Sequence, residues 1–128
     1  MNTKRNPVGW FEIYVQDMER AKKFYQSTFQ VDLQHLPSPE GLPIEMWAFP
    51  MEMDIPGCAG ALVRMDEKDS GRGGTIIYFS CVDCAVETAR AAAGGGRIHQ
   101  DKFPIGDYGF CSLVYDTEEN LIGLHSMQ

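Results

Sequence analysis

The chain has 128 residues, 44% hydrophobic and 23% charged, with a net charge of −7 at pH 7. That length suits one globular domain spanning residues 1–128 with a sizeable core and leaves no room for a second. The acidic balance argues against nucleic acid or an anionic membrane as partner, and neither a signal-peptide h-region nor a run of about 18 apolar residues is present, so a cytoplasmic location is the expectation.

In chain order, residues 10–15 read as a strand and Asp17 as the cap of a helix. The helix carries Met18, Ala21, Phe24, Tyr25 and Thr28 on one stripe, opposite Glu19, Arg20, Lys22, Lys23 and Gln26, so one apolar face is expected against a sheet. Strands follow at 32–36, 44–51 and 58–65, punctuated by Pro37, Pro39, Pro43 and Pro50. Residues 66–74 are polar and glycine-rich and read as a flexible connection. A second strand at 75–82 then leads to the cap Asp83 and a helix with Ala85, Val86, Ala89, Ala92 and Ala93 on its expected buried face. Gly94, Gly95 and Gly96 follow a helix and precede a strand, the reverse of a phosphate loop, and read as a helix C-cap. Strands at 97–103, 108–115 and 121–127 complete the chain, and residues 103–109 form either a tight turn or a lid.

The chain is therefore written twice, as module 1 over about residues 7–66 and module 2 over about 74–128. Each is strand, helix, then three strands, an α+β arrangement. Such a unit cannot bury its own apolar face alone, so the copies are expected to pack together or to be exchanged between chains of a homodimer. A ligand is expected at the seam.

Cys58, Cys81, Cys84 and Cys111 are too few, and too embedded in apolar runs, for a disulfide framework. Cys81-x-x-Cys84 places Cys84 in the first turn of a helix, where the helix dipole favours a thiolate. The following pattern of hairpins is not that of a thioredoxin-like site, and no second cysteine pair completes a zinc site. Small apolar fillers at a strand end is the preferred reading.

Two tandem βαβββ units, with Val15-x-Asp17-x-x-Arg20-Ala21-x-x-Phe24-Tyr25 in the first and a final hairpin running from Tyr115-Asp116-Thr117-Glu118 to Ile122-Gly123-Leu124-His125, resemble the glyoxalase, bleomycin-resistance and extradiol-dioxygenase superfamily, the vicinal oxygen chelate proteins. The resemblance covers nearly the whole chain and implies a U-shaped, partly open mixed β-sheet barrel with flanking helices. It does not select a function, since the superfamily spans metal-dependent isomerases, epimerases, thiol transferases and dioxygenases as well as metal-free drug-binding proteins.

The resemblance also implies where a metal would sit, on one inward position of the first and last strand of each module. Counted from the caps and the final hairpin, these positions fall on Trp10, Gly60, Ile77 and Gly123, none of which supplies a metal ligand. No metal and no cofactor are therefore expected. On the faces of Trp10 and Gly123 the alternation of strand side chains adds Glu12 and His125. These two are expected either to serve as a catalytic acid/base pair or to orient a polar ligand, and the competing reading is a buried pair that joins two strands. Trp10 and Trp47 are expected to line an aromatic pocket with Ile77 and Gly123, while Phe49, Phe79 and Phe110 are assigned to the core. His35 and His99 are expected at exposed edges. The expected function is binding of a small organic molecule without a catalytic metal. The alternative is a lyase or isomerase of the glyoxalase-related type, metal-free through Glu12 and His125 or metal-dependent through other ligands.

Overall fold

The computed structural model describes residues 5–128. Eight strands and two helices follow the order β1 (Val8–Tyr14), α1 (Met18–Phe29), β2 (Gln34–Leu36), β3 (Ile44–Ala48), β4 (Ala61–Met65), β5 (Thr75–Ser80), α2 (Cys84–Ala93), β6 (Arg97–Pro104), β7 (Phe110–Tyr115) and β8 (Leu121–Ser126). This is the α+β pattern of two βαβββ modules. The compact units divide slightly off the sequence repeat. One is Trp10–Thr75, and the other joins the described residues up to Gly9 to Ile76–Gln128. In the second unit the Ser80 amide donates to the Pro7 carbonyl at 2.9 Å, so the chain leading into β1 belongs with β5.

The two units repeat one topology. In the first, the strand order is β2-β3-β4-β1, with β1 and β4 parallel and the other pairs antiparallel. In the second it is β6-β7-β8-β5, with β5 and β8 parallel and the rest antiparallel. Both helices begin as expected. Asp17 accepts from the Arg20 amide at 3.0 Å and Asp83 from the Ala85 amide at 3.0 Å, each satisfying an N–H that the helix cannot.

The core of the first unit lies between α1 and its sheet, where Val15, Met18, Leu33 and Leu62 are buried with Ile13, Ala21, Tyr25, Trp47 and Phe49 against them. The buried stripe of α1 is narrower than its sequence pattern. Phe24 is 59% exposed and packs edge-on against Tyr25, while Lys22 lays its ammonium 3.3 Å from the centre of the Trp47 ring.

The second core lies between α2 and its sheet, with Cys81, Cys84, Val114 and Leu124 buried and Phe79, Ala91, Phe110 and Ile122 around them. Phe49, Phe79 and Phe110 are thus core residues, as their type suggested. The face of α2 is rotated from expectation, with Cys84 and Thr88 buried and Ala85, Val86 and Ala89 outside. Threonine can be buried here because its hydroxyl donates to the Cys84 carbonyl at 2.7 Å and accepts from the Ser112 hydroxyl at 2.6 Å. Ser126 in turn accepts from the Cys84 amide at 3.0 Å, tying β8 to the start of α2.

In the second unit Asp83 and Asp116 titrate below the ordinary carboxyl range. Asp83 is held down by the Lys102 ammonium at 2.9 Å and by the Ala85 amide. Asp116 is held down by the Asn120 backbone and side chain and by the Glu118 amide, which close the β7–β8 turn around it. Because folding lowers both pKa values, their stabilisation is complete above the unfolded carboxyl pKa of about 4 and is lost as pH falls through the lower folded values. Melting temperature is expected to be insensitive to these groups above about pH 5 and to decline below about pH 4. Asp116→Asn should remove part of that acid-dependent loss, and an unchanged acid limb in the variant would contradict this account.

Candidate functional site

On the face of β1 turned away from α1, Trp10, Glu12 and Tyr14 recur at the strand period of two. The Glu12 carboxylate accepts from the Tyr14 hydroxyl at 2.8 Å and from the Trp10 indole at 3.4 Å. Two aromatic donors thus hold one acid in place. Strand pairing sets Ala61 beside Glu12 and Val63 beside Tyr14, with Ala48 and Met46 beyond them. These four neighbours are buried and apolar, so Glu12 is the only charged side chain on this face of β1, β3 and β4. A fixed carboxylate among apolar residues suits a ligand that offers one polar group and an apolar body.

The corresponding face of the second unit carries Tyr78 and Ser80 on β5, Gly123 and His125 on β8, and Cys111 and Leu113 on β7. The His125 Nε2 is hydrogen-bonded to the Tyr108 carbonyl in the 3₁₀ turn at Gly106–Tyr108. A carbonyl only accepts, so Nε2 carries the proton and a neutral His125 keeps its lone pair on Nδ1. Directly across the strand pair stands Cys111, which makes thiol and imidazole neighbours on one face. Glu12 and His125 belong to different units, each with its own set of partners. Of the two readings for residues 103–109, the structure has the tight turn, a 3₁₀ turn at Gly106–Tyr108 between β6 and β7. The Ile105 amide donates to the Gly109 carbonyl at 2.9 Å and the Tyr108 amide to the Ile105 carbonyl at 3.4 Å, and the Tyr108 carbonyl reaches His125.

Two expected pocket residues are placed elsewhere. Trp47 pairs with Leu62, which pairs with Ile13, and therefore lies on the α1 side, stacked edge-on with His35 and covered by Lys22. It does not share a face with Trp10. Ile77 is displaced by one residue, since Gly123 pairs with Tyr78 and the residue seven before the cap Asp83, as Trp10 is seven before Asp17, is Ile76. A slip of one residue moves a strand side chain to the opposite face. The same pairing replaces Gly60 by Ala61, because Ala61 stands beside Glu12 as Gly123 stands beside Tyr78. Equal spacing from the two caps was the signal in the sequence for this register.

The four positions that the resemblance assigns to metal ligands are therefore Trp10, Ala61, Ile76 and Gly123. An indole, a methyl, a branched alkyl and a hydrogen do not fit a divalent cation, which needs at least three N, O or S donors. At Gly123 the misfit is also steric. A Cβ there would collide with the ring of Tyr78, which fills the space a carboxylate would use. Among the described residues no three His, Cys, Asp or Glu side chains gather at metal-binding distances. His35 and His99 are exposed on β2 and β6, packed edge-on against Trp47 and Tyr115.

The Cys81-x-x-Cys84 pair lies in the second core. Burial, reinforced by the negative charge of Glu87, pushes the Cys81 thiol up to about 11, and Cys84 is wholly enclosed. A thiol at that pKa is not a nucleophile at neutral pH, so the pair behaves as small apolar packing.

The model of the Glyoxalase/Bleomycin resistance protein/Dioxygenase superfamily matches residues 8–124. The chain belongs to that superfamily. No curated protein gives a significant match to the sequence. Among solved structures, the hypothetical protein BH1468 from Bacillus halodurans C-125 is 10% identical with a TM-score of 0.72 over 94% of both chains. A variant of Streptomyces coelicolor methylmalonyl-CoA epimerase in complex with 2-nitronate-propionyl-CoA is 18% identical with a TM-score of 0.68, over 95% of this chain and 97% of that one. Methylmalonyl-CoA epimerase from Mycobacterium tuberculosis is 15% identical with a TM-score of 0.69, over 100% and 93%. At these identities the likeness is one of fold.

Proposed function

We propose that this protein binds a small organic molecule without a catalytic divalent ion, and that the face carrying Trp10, Glu12 and Tyr14 in one unit and the face carrying Tyr78, Gly123 and His125 in the other are each ligand-facing. The observation that supports this reading is the replacement of the four ligand positions by Trp10, Ala61, Ile76 and Gly123, with the Tyr78 ring over Gly123. Aromatic and apolar side chains supply the walls, and Glu12 and His125 supply the polar contacts. Solved epimerases of this fold are complexed with CoA esters, and an acyl thioester is one class of molecule with the required apolar body and polar handle. We extend the same reading to a protein that works in the cytoplasm as a homodimer.

A second reading, a metal-free lyase or isomerase with Glu12 and His125 as its acid and base, is favoured by one detail. The Tyr108 carbonyl fixes the His125 tautomer, which is what a general base needs and a merely structural histidine does not. Thermal denaturation in the presence of Ni²⁺, Zn²⁺, Mn²⁺ and Fe²⁺ tests the metal-free reading. A ligand at one hundred times its Kd would add about 2.7 kcal/mol of stability. No saturable rise in melting temperature is expected with any of the four ions, and a saturable rise with one of them would overturn the proposal.

A further inference from the structure

The first unit holds a recess of about 450 Å³ at the C-terminal end of β1, between α1 and the glycine-rich segment that follows β4. Its volume falls in the range of small-molecule sites. One wall is α1, through Arg20, Phe24 and Tyr25, and the facing wall is Ser70 and Gly71. The segment 66–74 reads from its composition as a flexible connection, but here it is tied down. The Gln16 amide donates to the Lys68 carbonyl at 3.1 Å, the Tyr14 N–H to the Gly74 carbonyl at 2.7 Å, and the Gly74 N–H to the Gly71 carbonyl at 2.8 Å. The Lys68 ammonium closes the loop on the Gly73 carbonyl at 3.1 Å. A glycine-rich segment held by Tyr14 at the C-terminal end of β1 and by Gln16 just beyond it forms a fixed wall.

The chemistry of the recess is asymmetric. Its two charged side chains are Asp17 and Arg20, and the Asp17 carboxylate is engaged with the Arg20 N–H as the helix cap. The Arg20 guanidinium has no hydrogen-bond or ion-pair partner among the described residues. Phe24 stands one turn further along the same helix face, 59% exposed and edge-on to Tyr25 with ring centres 5.0 Å apart. An unpaired guanidinium beside an exposed aromatic ring matches a carboxylate joined to a flat apolar body, since the fork binds two carboxylate oxygens and the ring offers a stacking surface.

We propose that this recess is a binding site for a small aryl carboxylate, with the carboxylate on Arg20 and the aromatic ring against Phe24. The site is independent of the ligand faces described above. Its test is an amide chemical-shift titration of the full chain with benzoate and, separately, with benzyl alcohol, which has the same ring and no charge. Benzoate is expected to shift the amides of residues 20–25 and 70–71 in a saturable way, with a Kd on the order of 1 mM, and benzyl alcohol is expected not to saturate. Arg20→Gln should weaken benzoate binding at least about tenfold, the scale of a lost charge-assisted contact, and added salt should weaken wild-type binding. Phe24→Ala, on the exposed side of α1, should weaken both the benzoate affinity and the shifts without loss of fold. Non-saturable shifts, equal response to the neutral alcohol, or unchanged affinity in Arg20→Gln would each overturn the proposal.

Discussion

Gly123→Ala is expected to lower the unfolding free energy by about 2–3 kcal/mol, the upper range for overpacking a tight site. The added methyl would meet the Tyr78 ring, and Tyr78 stands on the strand directly paired with Gly123. The expected signature is coupling. In a Tyr78→Ala background the ring is gone, so the same substitution at Gly123 should cost less than about 1 kcal/mol, and the double-mutant cycle isolates that difference. Chemical denaturation of the four proteins measures it. Equal costs in both backgrounds would show that the ring does not fill this space, and with that the steric part of the metal-free reading would fall. The same clash predicts that restoring a carboxylate at Gly123 alone creates no metal site.

The second large effect is at Gly109. This residue ends the 3₁₀ turn with φ 97° and ψ −126°, a region open in practice to glycine alone. A side chain there would also strike the Ser126 carbonyl, a backbone atom that cannot swing aside. Gly109→Ala is therefore expected to cost on the order of 3 kcal/mol, combining backbone strain with the collision. It also has a local readout that a simple loss of stability lacks. Moving the turn withdraws the Tyr108 carbonyl from His125, so histidine nitrogen chemical shifts should show one tautomer in the wild type, protonated on Nε2, and a mixture in the variant. A wild-type spectrum with Nδ1 protonated would refute the assigned hydrogen bond. An Nε2 proton retained unchanged in the folded variant would show that the turn does not position the imidazole.

Most of the architecture was legible because it rests on local chemistry. Asp17 and Asp83 are caps by residue type, and both do accept from the first turn of a helix. The repeat and the element order follow from such signals, and the superfamily was legible as a resemblance in the motif residues 15–25 and 115–125, which the match over residues 8–124 supports. The faces were less legible. On α2 the alanines looked like the packing surface, but Thr88 is buried, since a threonine that satisfies its hydroxyl on Cys84 and Ser112 loses its reason to stay in water. On α1 Phe24 looked like part of the packing stripe but is exposed, while Lys22 of the expected polar face lies over Trp47, a contact between elements that periodicity does not encode.

The candidate site shows the same division. Trp10, Glu12, Gly123 and His125 were identified from alternation and spacing, and the partners of Glu12 and His125 show how each is held. Trp47 and Ile77 were misplaced because a strand period of two makes every register error a change of face. Tyr14 and Tyr78 were not singled out, Cys111 was weighed only as one of four cysteines, and Tyr108 only as part of the segment 103–109. Their places beside Glu12, Gly123 and His125 come from strand alternation, cross-strand pairing and a turn that folds back on β8.

By itself, then, the sequence determined which segments form strands and helices, that they do so twice, and that the positions for metal ligands lack ligating side chains, because caps, periodicity and side-chain chemistry are properties of neighbouring residues. Only the tertiary structure decided which residues those positions are, that the Tyr78 ring occupies the place beside Gly123, and that residues 66–74 form a wall facing Arg20. These depend on strand register and on hydrogen bonds between residues such as Gln16 and Lys68 that lie far apart in the chain. Such contacts are fixed by packing, which no local pattern records.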